Sequence, residues 1–311
     1  NKGRKMKDNA LYYPYINLPE SDWLLKRLLY WDKMYSIATY ETIHNKKDLT
    51  PLMQELSEDD NLFQFIKPLD YYHKLENFRN SFLETAKDFQ FNNPYQNENM
   101  TRIHIEKISD LSNQLENMGV IKPLRNHPWY EMDSELSDIF MRDLAIELCE
   151  ISDIKATPIT TSNFTFDRQF IENEVLNFTM PLPEGKIELK KIREFRERNK
   201  QTVKRYRDKI DDITDKILKG NSFEERQDLL NDARKNFTEE LIILNSEISR
   251  LWKKQSKHII LPIVSTIAGG LSGGLSGAVA GLITAVGPNI YDSLEKKEKN
   301  VLTYATDLQR I

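Results

Sequence analysis

The chain has 311 residues, with 44 Lys and Arg against 48 Asp and Glu and a net charge of -4, a balance that excludes a wholly polybasic nucleic-acid binder. Hydrophobic residues make up 39% and charged ones 30%, with a mean hydropathy of -0.59, which suits a soluble, folded, helix-rich protein better than a multi-span membrane protein. One cysteine, Cys149, rules out an intrachain disulfide framework and an all-cysteine metal cage.

No apolar stretch follows the early charges of NKGRKMKDNALYYPY, so no secretory signal is read there and the expected compartment is the cytoplasm. Residue 1 is Asn, and Met6 reads as the natural start. Ala10 to Asn17 is rich in Tyr and apolar residues and is expected as a strand, bent or at an edge because of Pro14. Ser21 then caps a helix on which Trp23, Leu24, Arg27, Leu28, Trp31 and Tyr35 recur at helical spacing. Tyr35 to Tyr40 returns to strand character, Leu49 to Leu56 to helix, and LFQFIKP to a strand closed by Pro68.

A helix is expected over Lys74 to Phe89, then a polar loop over Asn92 to Asn99. Met100 to Ile108 alternates and is expected as one half-buried strand, placing His104 and Glu106 on the same face. Leu111 to Met118 reads as helix. Val120 to Pro123 (VIKP) echoes Phe65 to Pro68 (FIKP), either as a weak helix–strand repeat or by coincidence. Ser134 to Ser152 is an amphipathic helix that buries Cys149 as a core thiol.

Pro181, Pro183 and Gly185 mark a change of character. Lys186 to Leu218 is one long helical pattern with Ile192, Phe195, Val203, Tyr206, Ile210, Ile213 and Ile217 along a seam interrupted by Asn199. Gly220 and Asn221 end it, and Ser222 with Glu225 forms a capping box for a helix carrying Leu230, Phe237, Leu241, Leu244, Ile248 and Leu251. Two long seams and a short turn predict an antiparallel hairpin about 50 Å long. Residues 186 to 209 hold eleven Lys or Arg and four Asp or Glu, a local net of +7. Arg193, Arg196, Lys200, Lys204 and Arg207 step along one stripe. That stripe either meets nucleic-acid phosphates or anionic lipid headgroups, or is a solvated face paired with acids elsewhere.

No charged side chain occurs for 33 residues between His258 and Asp292. Within that run, 262 to 286 would make roughly 37 Å of helix against an apolar bilayer thickness of about 30 Å. Gly269, Gly273, Gly277 and Gly281 are spaced by four beside a bulky row of Leu271, Leu275, Val279 and Ile283. Each interior glycine costs a helix roughly 1 kcal/mol relative to alanine, so a ridge of four implies close helix–helix approach. The segment is either a core helix wrapped by its neighbours or a conditional membrane segment flanked by Trp252 and Tyr291. Cations on its two sides, Arg250, Lys253, Lys254 and Lys257 against Lys296, Lys297 and Lys299, are too even to set an orientation.

Nothing matches a P-loop, a dinucleotide glycine fingerprint, a nucleophile elbow or a metalloprotease helix. No catalytic residue, metal or cofactor is assigned. The best acid–base pair is His104 with Glu106, and the alternative is a metal nuclease using Asp32, Glu41 and Asp70 near strand ends.

The opening ALYYPYINLPESDWLLKRLLYWDKMYSI resembles a family of bacterial proteins with a domain of unknown function. The matching positions are Tyr13 to Tyr15, Trp23 and Leu28 to Asp32, extending through the FIKP strand and loosely to the junction at 181 to 198. The resemblance implies a bacterial origin and a shared fold, and carries no chemistry.

The expected architecture is α+β: a mixed α/β domain over 6–180 that senses or binds a partner, an antiparallel helical hairpin over 186–256, and a glycine-rich apolar helix with a C-terminal helix over 259–311. The leading functional expectation is a non-enzymatic bacterial effector, of the toxin or phage-defence kind, whose glycine ridge drives self-association and membrane insertion on activation. Expected partners are a second copy, inner-membrane lipid, and a protein bound through the N-terminal domain, with nucleic acid the weakest candidate. The alternatives are a soluble interaction subunit with the ridge as core packing, and the metal nuclease with the basic helix holding nucleic acid.

Overall fold

The computed structural model describes residues 7–92, 99–125, 128–151, 153–161, 168–180 and 189–237. The described residues fold as α+β in two compact units, divided after Thr161.

The first unit is built on a parallel sheet. Its strands are β1 (Asn9–Tyr12), β2 (Lys33–Ile37), β3 (Phe63–Ile66) and β7 (Ala156–Ile159), in the order β3-β2-β1-β7. β1 is shorter than its Tyr-rich run because Pro14 lacks the N–H a ladder needs. Helix α1 (Asp22–Tyr30) follows from the Ser21 N-cap position. It stops before Trp31 and Tyr35, contrary to their helical spacing: Trp31 turns extended, and the Asp32 N–H donates to the Asp8 carbonyl at 2.8 Å, which begins β2. Sheet pairing here overrides local periodicity.

Alternation along β2 divides the unit into layers. Tyr35 and Ile37, with Leu11 and Ile66, join a core with Phe78 and Phe82 of α4 (Glu76–Asn92) and Phe140, Leu144 and Leu148 of α7 (Ser134–Glu150). The Phe140 ring lies edge-on to Phe78 at 5.3 Å and to Phe82 at 4.8 Å. Met34 and Ser36 face the other way and are equally buried, on the side of α1, as a parallel sheet covered on both faces requires. Short helices α2 (Tyr40–His44) and α3 (Pro51–Leu56) carry the chain to β3, each capped by a threonine: the Thr39 Oγ1 accepts from Thr42 N–H at 3.2 Å, and Thr50 caps α3 in the same way.

A small antiparallel sheet, β4 (Met100–His104), β6 (Trp129–Asp133) and β5 (Ile121–Pro123) in the order β4-β6-β5, adds Ile103, Ile121 and Met132 to the α4–α7 core. The expected strand over 100–108 ends at His104, and Ile105–Ile108 forms a helical turn, α5. Helix α6 (Leu111–Asn117) closes at Gly119, whose φ of 73° suits the left-handed position that ends a helix. The FIKP and IKP strands lie in different sheets, one parallel and one antiparallel, so they are not copies of one repeat.

The second unit is helical where described: α8 (Arg168–Thr179), α9 (Leu189–Leu218) and α10 (223–237). The boundary falls at Thr161 rather than near residue 180, because α8 packs on α9. The Tyr206 hydroxyl donates to Thr179 Oγ1 at 2.7 Å, which in turn donates to the Val175 carbonyl. Arg168 reaches both Asp211 and Asp215, one turn apart on α9. Ile192, Phe195, Asn199, Val203, Tyr206, Ile210 and Ile217 form the buried stripe of α9. Asn199 is satisfied by donating to the Phe195 carbonyl at 3.0 Å.

At the turn, the Glu225 N–H donates to Ser222 Oγ at 3.1 Å, and the Glu225 carboxylate accepts from Asn221 N–H at 2.7 Å, one residue earlier than in the usual box. α10 then returns along α9, with Phe237 5.8 Å from Lys209 Nζ and 6.2 Å from the Phe178 ring. The rest of the expected hairpin, beyond residue 237, lies outside the described residues.

Candidate functional site

In a sheet ordered 3-2-1 with the next strand on the far side of the first, ligands bind at the carboxyl ends of the strands. After β1 that edge presents Tyr13, Pro14 and Tyr15, the last 70% exposed. The following helix opens with Asp22 in its first turn. A carboxylate there and the absence of glycine in the turn make the edge unsuited to a pyrophosphate, which needs close backbone approach and a positive helix end.

The ionisable groups gather beside it, past β2 and β3. Tyr40, just beyond β2, donates its hydroxyl to the Asp70 carboxylate, which holds the Tyr40 phenol above its usual value. Lys67 binds the same carboxylate at 3.1 Å, and its Nζ stands 4.4 Å from the Tyr40 ring centroid. The Tyr40 N–H donates to Glu106 Oε2 at 2.6 Å, and its carbonyl meets His44 Nδ1 at 2.8 Å.

His104, at the end of β4, ties the second sheet to this edge. Its Nδ1 accepts the Glu106 N–H at 3.1 Å, capping α5. A ring nitrogen that accepts carries no proton, so the proton sits on Nε2, which donates to Glu41 Oε2 at 2.9 Å. The imidazole is 2% exposed and edge-on to Trp129 at 4.8 Å, while the Glu41 side chain is 52% exposed. A buried histidine thus aims a half-exposed carboxylate at the edge where a ligand would sit. That carboxylate can accept hydrogen bonds or hold a proton in a fixed place.

A second Tyr–Asp–cation group lies close in the chain. The Tyr72 hydroxyl donates to Asp110 Oδ2 at 2.6 Å, and Arg79 pairs with Asp110 at 3.4 Å while covering the Tyr72 ring at 4.1 Å. Beside Glu106, desolvation pushes the Lys107 ammonium down to about 8.

His104 and Glu106 do meet, but through the cap of α5 and not across a strand face. Glu41 and Asp70 stand at the carboxyl edge. Asp32 precedes β2 at the opposite edge, a strand length of about 17 Å away, so the three expected carboxylates do not converge. Among the described residues no three His, Cys, Asp or Glu side chains gather to hold a metal ion. Cys149 is buried at 1% exposure in the α4–α7 core. Tyr40 escaped the sequence reading because nothing local marks it: it meets Asp70 across 30 residues, as His104 meets Glu41 across 63.

The basic stripe on α9 is not continuous. Arg193, Lys200 and Lys204 are exposed, Arg196 is half-buried, and Arg207 is buried at 6% exposure, because position 207 turns toward the seam beside Tyr206. Gly269, Gly273, Gly277 and Gly281 lie outside the described residues. No described helix is long and apolar enough to cross a membrane. No protein-family model matches the chain, and no curated protein or solved structure matches it either.

Proposed function

We propose that the chain is a two-part, non-enzymatic bacterial effector. Its α/β unit binds a partner at the carboxyl edge of the parallel sheet, and its helical unit carries a glycine-ridged segment that self-associates and enters the inner membrane on activation, in a toxin or phage-defence setting. The observation that carries this reading is the run of 33 uncharged residues between His258 and Asp292, with Gly269, Gly273, Gly277 and Gly281 on one ridge. Such a row forfeits roughly 4 kcal/mol of helix propensity, and close packing against a like surface recovers it. The oriented Glu41 and the exposed Tyr15 at the sheet edge support a binding role for the first unit.

Dye release from liposomes tests the reading. The full chain releases dye, and G273L/G277L abolishes release while leaving the thermal melt in place. Release that never occurs sinks the proposal. Loss of release together with a lower melt assigns the ridge to core packing in a soluble interaction subunit.

A further inference from the structure

The charge on α9 is divided along its length. The half that begins at Leu189 exposes Lys190, Lys191, Arg193, Lys200, Lys204 and Arg205, while Glu197 is the one fully exposed acid there among the described residues. Lys190, Lys191, Lys200, Lys204 and Arg205 make no ion pair among the described residues. The other half is balanced: Asp208 and Asp212 are exposed with Lys216 and Lys219, and Asp211 and Asp215 are taken by Arg168.

This arrangement does not serve the helix. Lys200 and Lys204 are like charges four apart, a repulsive spacing. In a chain of net -4, such a concentration calls for an opposite charge outside the helix.

The chemistry of that partner follows from what the face lacks. Both aromatic residues of α9, Phe195 and Tyr206, are buried, so the surface offers no platform for stacking bases. It is a row of mobile cations about 23 Å long from Lys190 to Arg205, suited to many phosphates in a plane. The same unit continues in sequence to Arg250, Lys253, Lys254 and Lys257 and then to the uncharged run. We infer that the first half of α9 docks electrostatically on the phosphate headgroups of an anionic bilayer, holding the helical unit at the surface into which residues 262–286 insert. The inference rests on the proposed membrane function, and names the lipid it needs.

Flotation of the full chain with vesicles separates the two. With phosphatidylcholine vesicles containing roughly one phosphatidylglycerol in three, the wild type mixed at low salt floats, whereas mixed at about 0.5 M salt, where docking is screened from the start, it does not. K200E/K204E weakens flotation by at least about 25-fold, at about fivefold per cation. K216E/K219E, in the balanced half, leaves flotation unchanged. Flotation without dye release upholds docking and rejects insertion. Dye release and flotation that are insensitive to K200E/K204E overturn docking and leave insertion standing. Equal flotation with pure phosphatidylcholine, or tighter binding to a DNA or RNA duplex than to the anionic vesicles, also overturns it. All four substituted lysines are exposed, so unchanged melting is expected, and the salt dependence of the wild type tests the inference without any variant.

Discussion

Replacing His104 should separate three interactions that converge on one buried ring. The Nε2–H bond to Glu41 at 2.9 Å joins a buried donor to a half-exposed carboxylate; discounted for solvent screening, it contributes about 1 kcal/mol. The Nδ1 cap on the Glu106 N–H contributes about 1 kcal/mol. Packing on Trp129 and the void left by the ring add about 1 kcal/mol. His104→Ala should therefore lower the stability of the first unit by about 3 kcal/mol. His104→Asn keeps an oxygen able to cap Glu106 but cannot reach Glu41, and should cost roughly half as much. Hydrogen exchange at the Glu106 amide reads the cap directly: protection is lost in H104A and kept in H104N. Double-mutant cycles of either H104N or H104A with E41A should return about 1 kcal/mol, because both substitutions remove the Nε2–H bond to Glu41. Equal exchange of Glu106 in the two histidine variants, or an H104A–E41A coupling below about 0.3 kcal/mol, would refute the network.

Three further outcomes follow from the packing. A Cβ on Gly220 would meet Arg226 Cγ at 2.9 Å and Arg226 N at 3.1 Å, so Gly220→Ala should cost about 1–3 kcal/mol; an unchanged thermal melt contradicts this close approach. Burial raises the Tyr206 phenol well above its usual value of 10.0. The unfolded chain therefore releases that proton first, and stability falls as pH rises above 10; Tyr206→Phe should remove about 1.4 kcal/mol per pH unit of that slope, read by denaturant titration across the range. Lys107 is displaced the other way, to about 8 from 10.5, so the folded state is penalised below pH 8 and relieved between 8 and 10.5. Lys107→Met should be more stable than wild type at pH 7, by roughly 1–2 kcal/mol after allowance for partial exposure, with the advantage gone by pH 10.5; an advantage independent of pH would assign it to packing alone.

The helices were legible where period and caps agreed. The seam of α9 and the Ser222–Glu225 cap read directly from spacing, and the α7 seam buries Leu136, Phe140, Leu144 and Leu148 much as its apolar pattern implies. Strands of four or five residues carry too few alternations to fix their ends. α1 was overrun because Trp31 continues its apolar face, although it is in fact the extended C-cap. β7 was missed because Pro158 breaks the pattern of Ala156–Ile159; an edge strand tolerates that residue. At Met100–Ile108 the alternation around Ile103 and Ile105 hid a helical turn, since the ring of His104 caps Glu106 and switches the backbone. The carboxyl-edge cluster draws on residues from α2, β4 and the turns after β3, so only tertiary pairing assembles it.

Whether residues 262–286 enter a bilayer is most directly measured with a single accessible thiol at Ser276, because Cys149 is buried and silent to a polar reagent. With Ser276→Cys in the full chain, a membrane-impermeant maleimide is added before and after anionic vesicles. The account predicts that vesicles protect this thiol while a thiol placed at Lys200 keeps reacting once salt has released the basic face. Equal labelling of Cys at position 276 with and without vesicles, under conditions where the chain floats, would contradict it.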